Sequence, residues 1–138
     1  FGPSTAWFEN CTIYCKINSY ITAASTPADQ SFGYVFNHCK LTAAPEVTKV
    51  YLGRPWRPYA YTLFMNSEYG KFIRPEGWFN WSNPENEKTA RYCEYGNVGE
   101  GANTQQRVTW LRQLSRQEAK AITLVNVFKE SSDWIPEE

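Results

Sequence analysis

Aromatic residues recur at a constant spacing along the first two thirds of this 138-residue chain. The series Phe8, Phe36, Phe64 and Tyr92 places each aromatic 28 residues after the one before it. The segments around them carry β-branched and aromatic residues between clusters of Gly, Pro, Asn and Ser, which is typical of short strands. A unit of this kind cannot bury its own apolar face, so it must stack on its neighbours. The spacing therefore predicts an all-β solenoid, a parallel β-helix of about four rungs.

The repeat aligns other positions along the axis of the predicted solenoid. The four aromatics are expected to form an internal stack. Two positions after each aromatic comes a polar column, where a bend is expected because Asn tolerates the left-handed backbone conformation. The column consists of Asn10, His38, Asn66 and Glu94. His38, the only histidine, is therefore expected to be structural. Cys11 and Cys39 are expected to remain free thiols, because directly opposed parallel neighbours make an awkward disulfide.

The segments between the rungs differ from one another. Residues 21–25 are predicted to form a third strand, and the aromatic-rich segment 70–89 is predicted to project from the wall as a loop. Near the end of the chain, Ser115 and Glu118 have the spacing of a capping box, which predicts a short helix over residues 119–121.

The end of the chain completes the predicted domain. The short helix and the apolar segment 124–128 are expected to cap the solenoid, because stacked repeats need a polar cover at their ends. A single domain over residues 1–138 is predicted, with rungs and loops over 1–112 and the cap and tail over 113–138.

The composition weighs against several classes of protein. Fourteen basic and fourteen acidic residues give a net charge of zero, so the charge distribution that nucleic-acid binding requires is missing. No apolar run approaches the roughly 20 residues of a membrane span, and the first residues do not form a signal peptide. The four cysteines include no C-x-x-C pair and have one histidine to help them, so no metal site or cofactor is expected.

Aromatic residues make up 17% of the chain, with six Trp and nine Tyr, which is more than a small core absorbs. Rings that line a groove favour carbohydrate as the ligand, because the C–H face of a sugar stacks on them. The segment from Tyr51 to Trp56 combines such a ring with Arg54. Pro55 biases Arg54 towards an extended backbone, so its side chain is expected to leave the strand in a defined direction.

Three motifs resemble, in order and spacing, those of the pectin methylesterases. They are Leu52-Gly53-Arg54-Pro55-Trp56, Gly77-Trp78-Phe79-Asn80-Trp81 and Tyr92-Cys93-Glu94-Tyr95-Gly96-Asn97. The resemblance runs from residue 1 to about Phe128. It implies a right-handed parallel β-helix and a carbohydrate esterase that hydrolyses the methyl esters of polygalacturonate with an aspartate nucleophile.

The resemblance also implies roles for individual residues. Arg54 matches the catalytic arginine that keeps the nucleophilic aspartate ionised and in place, which a guanidinium can do through a bidentate bond. Trp56 and Trp81 match the aromatic walls for the sugar rings, and Phe1 matches a phenylalanine that borders the substrate. Tyr59 is a weaker candidate for the same groove. Core packing is the expected role of Trp7, Trp78 and Trp110.

The family's nucleophile lies in an Asp-Phe-Ile-Phe-Gly segment, whereas this chain opens with Phe1-Gly2. The nucleophile, the second catalytic aspartate and the two oxyanion-hole glutamines are therefore expected upstream of residue 1. The resemblance implies the C-terminal half of a pectinesterase that is inactive alone and is secreted or periplasmic. An uncapped first rung leaves unpaired backbone groups, which predicts end-to-end self-association.

Two alternative functions remain open at this stage. One is a non-catalytic β-helix module that binds pectic polysaccharide through Trp56 and Trp81. The other is a pectin lyase or hydrolase on the same fold, which needs calcium ligands or paired acids in one groove. Asp29 and Asp133 are too scattered to provide that pair. The fold cannot separate these functions, because many activities share it.

Overall fold

The structure is a computed structural model that describes residues 5–30 and 32–129. It contains ten strands, three short α-helices and one turn of 3-10 helix, at residues 100–102. The strands are β1 (Ala6–Glu9), β2 (Thr12–Cys15), β3 (Tyr20–Ala24), β4 (Tyr34–Asn37), β5 (Lys40–Ala43), β6 (Tyr51–Pro55), β7 (Tyr61–Met65), β8 (Glu68–Tyr69), β9 (Arg91–Tyr95) and β10 (Arg112–Gln113). The helices are α1 (Asn86–Thr89), α2 (Arg116–Ala121) and α3 (Leu124–Lys129).

The strands form three parallel sheets that wind into a β-helix. Their orders are β1-β4-β7-β9-β10, β2-β5-β8 and β3-β6. Each strand pairs with the equivalent strand of the next turn. The solenoid has about three turns, and the predicted parallel β-helix is confirmed, including the third strand expected near residue 21.

The predicted aromatic stack is present in the first three turns. Phe8 pairs with Phe36 and Phe36 pairs with Phe64, so that equivalent rings lie directly above one another. The ring centroids are 4.7 and 4.4 Å apart with nearly parallel planes. Phe36 and Phe64 are almost fully buried, so the 28-residue spacing marks the interior of the solenoid.

The predicted fourth position of the stack is wrong. Phe64 pairs with Glu94, and Tyr92 pairs with Thr62, so the last step of the solenoid is 30 residues long. Trp78 from the preceding loop lies between the two aromatics, stacked on Tyr92 at 4.2 Å and tilted against Phe64 at 6.0 Å. The inserted ring displaces Tyr92 from the column, and Glu94 occupies the buried position.

The predicted bends occur at the polar column. Asn10, His38 and Asn66 all have a left-handed backbone, with φ of 56°, 54° and 51°. Glu94 does not continue this column as predicted, because the longer step brings Gly96, with φ of 62°, beside Asn66. The corner is therefore maintained by residues that tolerate a positive φ.

The segment over residues 70–89 does not project from the wall as predicted. Phe72, Ile73 and Trp78 are 8%, 3% and 1% exposed, and Trp78 forms a parallel bridge with Gly53. The apolar residues of this segment fill the interior beside β6, so the loop folds back onto the solenoid. Helix α1 ends the segment.

The predicted capping box is present at the start of α2. The Ser115 side chain accepts from the Glu118 backbone N–H, and the Glu118 carboxylate accepts from the Ser115 N–H. The following segment covers a side of the solenoid and not its end, which corrects the predicted cap. Val127 packs with Val35 and Leu63, because these outward positions of the first sheet form an apolar stripe that needs cover.

The polar and sulfur-containing residues behave largely as expected. His38 Nδ1 lies 2.9 Å from Glu9 Oε2 at the surface, consistent with a structural role. Cys11 and Cys39 are free thiols, as are the other two cysteines. Within residues 5–30 and 32–129, no helix is long and apolar enough to cross a membrane, and no group of acids, histidines and cysteines is arranged to hold a metal.

Candidate functional site

Arg54 lies on β6, in the third sheet. The strand pairs with β3, where Ala23 is the partner of Arg54 and Thr22 is the partner of Gly53. Leu52 and Gly53 are buried and Arg54 is half-buried. Gly53 is required here, because a Cβ at this position would lie 2.9 Å from the Trp78 ring and would also meet the Thr22 hydroxyl.

Three aromatic rings surround the guanidinium of Arg54. Its central carbon lies 3.9 Å from the ring centroid of Trp81, 4.7 Å from that of Tyr20 and 5.7 Å from that of Trp56. We call Tyr20, Trp56 and Trp81 the aromatic cup. Trp56 and Trp81 are 53% and 41% exposed, so each presents a free ring face beside the cation. Such contacts with a cation contribute about 0.5–2 kcal/mol each.

Arg54 has no acidic partner among the residues that the structure describes. Its Nε is buried and accepts no hydrogen-bonding partner from the described part of the chain. A buried donor left unpaired costs about 1–3 kcal/mol. The arrangement can therefore accommodate an anion, and a carboxylate fits a guanidinium through two parallel hydrogen bonds.

The charge of Arg54 also acts on the interior of the solenoid. Burial raises the pKa of Tyr92 well above its ordinary value, and the positive charge of Arg54 opposes that rise. Burial likewise raises the pKa of Tyr51, on the same strand as Arg54. Both phenols therefore stay protonated at neutral pH, and neither supplies the negative charge that would neutralise Arg54.

The loop that carries Trp81 has a strained and well-anchored backbone. Trp81 and Ser82 both have φ of 59°, a conformation that non-glycine residues rarely adopt. Asn80 holds this turn, since its side chain accepts from the Ser82 N–H at 2.8 Å and donates to Glu87 at 2.7 Å. Strain of this kind persists only where surrounding contacts maintain it, and it is concentrated at functional sites.

A buried carboxylate anchors the same loop from inside. Glu94 accepts from Arg107 through Nε at 2.8 Å and Nη2 at 3.2 Å, and the two side chains are 3% and 2% exposed. It also accepts from Trp78 Nε1 at 3.1 Å and from the Tyr69 hydroxyl at 3.2 Å. We call these four residues the Glu94 network. Because the carboxylate has four donors, its burial is compensated.

Comparison with known proteins identifies the family. The pectinesterase family model matches residues 1–131. The chain belongs to the pectinesterase family. Pectinesterase 31 of Arabidopsis thaliana is 42% identical over 120 residues, which are 86% of this chain and 38% of that protein. The chain thus spans well under half of this relative.

Solved pectinesterase structures have the same fold. The pectin methylesterase from carrot superposes with a TM-score of 0.83 at 29% identity, over 97% of this chain and 48% of that one. An aspartate-to-alanine mutant of a pectin methylesterase in complex with a hexasaccharide superposes with a TM-score of 0.75 at 25% identity, over 99% of this chain and 48% of that one. In each case this chain corresponds to about half of the pectinesterase.

The structure brings together some of the residues that the sequence singled out. Arg54, Trp56 and Trp81 converge, with the two indole rings 6.3 Å apart. Tyr59 is 42% exposed but has no ring contact with the aromatic cup in the described part of the chain. Phe1 lies outside the described residues. The functional roles assigned to these residues remain predictions.

Sequence reasoning did not identify Tyr20 or Arg107 as parts of the site. Tyr20 stacks on Tyr51 at 5.3 Å because the two start paired strands. The shared pattern of a tyrosine followed by an apolar residue, in Tyr20-Ile21 and Tyr51-Leu52, is a signal that could have aligned them. No local pattern marks Arg107, whose partner Glu94 is reached only through the 30-residue step.

Proposed function

We propose that this chain forms the part of a pectin methylesterase that supports the nucleophile and binds the sugar. The substrate is the methyl ester of polygalacturonate, and the reaction is ester hydrolysis through an aspartate nucleophile. The observation that supports this most directly is Arg54: its buried Nε has no partner, and exposed indole rings flank it. The hexasaccharide complex of a structural relative supports an oligosaccharide as the ligand.

Each residue has a defined task in this proposal. The guanidinium of Arg54 pairs with the nucleophilic carboxylate, which lowers that acid's pKa and fixes its orientation. Trp56 and Trp81 stack on sugar rings next to the scissile ester and restrict its position. The nucleophile, the acid/base aspartate and the oxyanion donors belong to residues outside 1–138. We therefore propose that these 138 residues alone release no methanol.

Methanol release and sugar binding test the proposal separately. With methylated pectin, the 138-residue chain should release no more than trace methanol, and clear turnover would contradict the inactivity. With galacturonate hexamers, calorimetry should show binding that Trp56→Ala weakens by about three- to tenfold, the value of one stacked ring. Tyr14→Ala is the matched control, because Tyr14 is equally exposed but lies on β2, away from the cup. Equal loss in both variants would exclude the cup as the binding site.

A non-catalytic binding module is the second candidate. The exposure of Trp56 and Trp81 favours it, since the two rings need no aspartate to stack on a sugar. The two candidates differ in what an upstream segment does. A chain extended to include the residues encoded before Phe1 should release methanol if it is an esterase, and the extension should start no hydrolysis if the chain is a binding module.

We also propose where this protein acts and how it associates. A polymeric cell-wall substrate requires secretion or export to a periplasm. In the described residues β1, β2 and β3 each have a strand on one side only, and an apolar cavity of about 270 Å³ opens between them. An open sheet edge pairs readily with another strand, which supports end-to-end association with a second copy. A sedimentation coefficient independent of concentration would contradict this.

A further inference from the structure

The Glu94 network lies inside the solenoid, yet three structural steps connect it to the aromatic cup. The first step is the Trp78 ring. Its Nε1 donates to the Glu94 carboxylate at 3.1 Å, and the ring is 1% exposed. The far side of the ring lies against Gly53, where even one added carbon would be 2.9 Å from it. The carboxylate therefore fixes a ring that sets the position of the strand beside Arg54.

The second step is the backbone on either side of Trp78. The Leu52 N–H donates to the Gly77 carbonyl at 2.6 Å, and the Phe79 N–H donates to the Gly53 carbonyl at 3.1 Å. The loop thus runs beside β6 at the residues that precede Arg54. Trp81 follows two residues after Phe79, so its place over the guanidinium depends on this pairing.

The third step is the contact of Arg107 with the start of the loop. Its Nη1 donates to the carbonyls of Arg74 at 3.3 Å and Pro75 at 3.1 Å. Its side chain also packs directly against Gly77, where a Cβ would lie 2.6 Å from the Arg107 Cδ. The same guanidinium therefore binds Glu94 and the loop, so it joins the interior of the last turn to the segment that carries Trp81.

We propose that Glu94 and Arg107 are positioning residues for Arg54. The buried pair holds Trp78 and the start of the loop, the loop places Trp81 over the guanidinium, and Trp81 fixes the direction in which Arg54 points. Neither residue touches the sugar or the nucleophile. The inference rests on the proposed function for its purpose, but the contact it concerns can be measured without substrate.

The Arg54 Nε–H resonance reports this geometry directly. A proton held near the face of the Trp81 ring has a ring-current shift, and the burial of Nε slows its exchange with water. In the ¹⁵N-labelled 138-residue chain, the resonance is assigned by its loss in Arg54→Lys. Glu94→Gln and Arg107→Lys should each remove at least half of the ring-current shift, because the carboxylate or the fork is lost while the side-chain volume is nearly kept.

A variant that only destabilises the fold provides the control. Leu63→Ala removes a buried side chain on the opposite face of the first sheet, next to Val127. It should lower the melting temperature as much as Glu94→Gln while the Arg54 resonance stays in place. An unchanged resonance in both network variants, or an equal change in Leu63→Ala, would overturn the inference. A normal NMR result together with no sugar binding would count against the proposed function alone.

Hydrogen exchange in the unmodified chain decides the case in which neither network variant folds. The Trp78 indole N–H and the backbone N–H groups of Leu52 and Phe79 should exchange with one opening free energy, because one network holds all three. If the Leu52 and Phe79 amides exchange through an opening at least tenfold more frequent than that of the Trp78 indole, the loop moves independently of Glu94 and the inference fails.

Discussion

The interior of the solenoid is filled differently in its early and late turns. Between β1, β4 and β7, one phenylalanine stacks on the next at 4.4–4.7 Å, and each turn repeats the last. Between β7 and β9, the equivalent position holds Glu94, which reaches Arg107 and Trp78 from two different loops. The early turns depend on apolar contacts between equivalent residues, whereas the late turn depends on a polar network that joins distant segments. We expect the two regions to respond differently to substitution.

Removing Arg107 should have the largest effect. Arg107→Ala leaves the Glu94 carboxylate buried without its charge partner, which costs about 3–5 kcal/mol of unfolding free energy. Urea unfolding followed by tryptophan fluorescence measures the loss. The double variant Glu94→Ala/Arg107→Ala should cost little more than the single one, since the unpaired charge is gone. Additive costs in this cycle would show that the two residues do not act as a pair.

A methyl group at Gly53 tests how closely the loop packs on β6. Gly53→Ala should lower the unfolding free energy by about 1–3 kcal/mol, because the new Cβ meets the Thr22 hydroxyl and the Trp78 ring. Thr22 is the partner of Gly53 in the preceding turn, where a side chain is accommodated. Adding Thr22→Ala should recover part of the loss, and the absence of any coupling would contradict this packing.

The early turns should tolerate a conservative change. Phe36→Leu replaces one ring of the stack with a smaller apolar side chain, so we expect a loss of about 1 kcal/mol. The same urea titration measures it, with the signal of the Trp78 indole N–H as a local report. That resonance should stay in place, because the Glu94 network does not depend on the stack. A shift as large as in Arg107→Ala would mean that the two regions are one cooperative unit.

The same contrast explains which parts of the structure the sequence could predict. The phenylalanine spacing and the Asn10 and Asn66 corners are local signals that repeat, so they predicted the solenoid, its interior and its bends. The register of β9 was not predictable from a 28-residue period, because Trp78 enters the interior and lengthens the last step to 30 residues. Insertion of a loop residue into a core is decided by packing among distant segments.

The candidate site shows the same division. Arg54, Trp56 and Trp81 lie in two short motifs whose residue types suit carboxylate and sugar binding, and the structure brings them together. Tyr20 entered the site through strand pairing, and Arg107 through an ion pair that no local pattern marks. Residues that bind can thus be found from their chemistry, whereas residues that orient them depend on the register.

Glu9 provides the smallest effect and the sharpest comparison with Glu94. It occupies the outer edge of the first turn, where burial raises its pKa but hydrogen bonds from His38, Asn37 and Trp7 outweigh this and lower it. A lowered folded pKa means that the contribution to stability is complete above the ordinary range near 4.5 and is lost as the pH falls through the folded value. Because the group is largely exposed, the contribution is at most about 0.5 kcal/mol.

Unfolding measured between pH 7 and pH 3 should therefore separate Glu9→Gln from the parent chain only slightly. The parent should be more stable at neutral pH, and the difference should vanish by pH 3, where the carboxylate is protonated. Asn37→Ala removes one of the donors and should shrink the difference. A pH-independent gap would mean that Glu9 acts through packing. A gap of several kcal/mol would mean that the outer ladder, like the Glu94 network, is a polar contact that the fold requires.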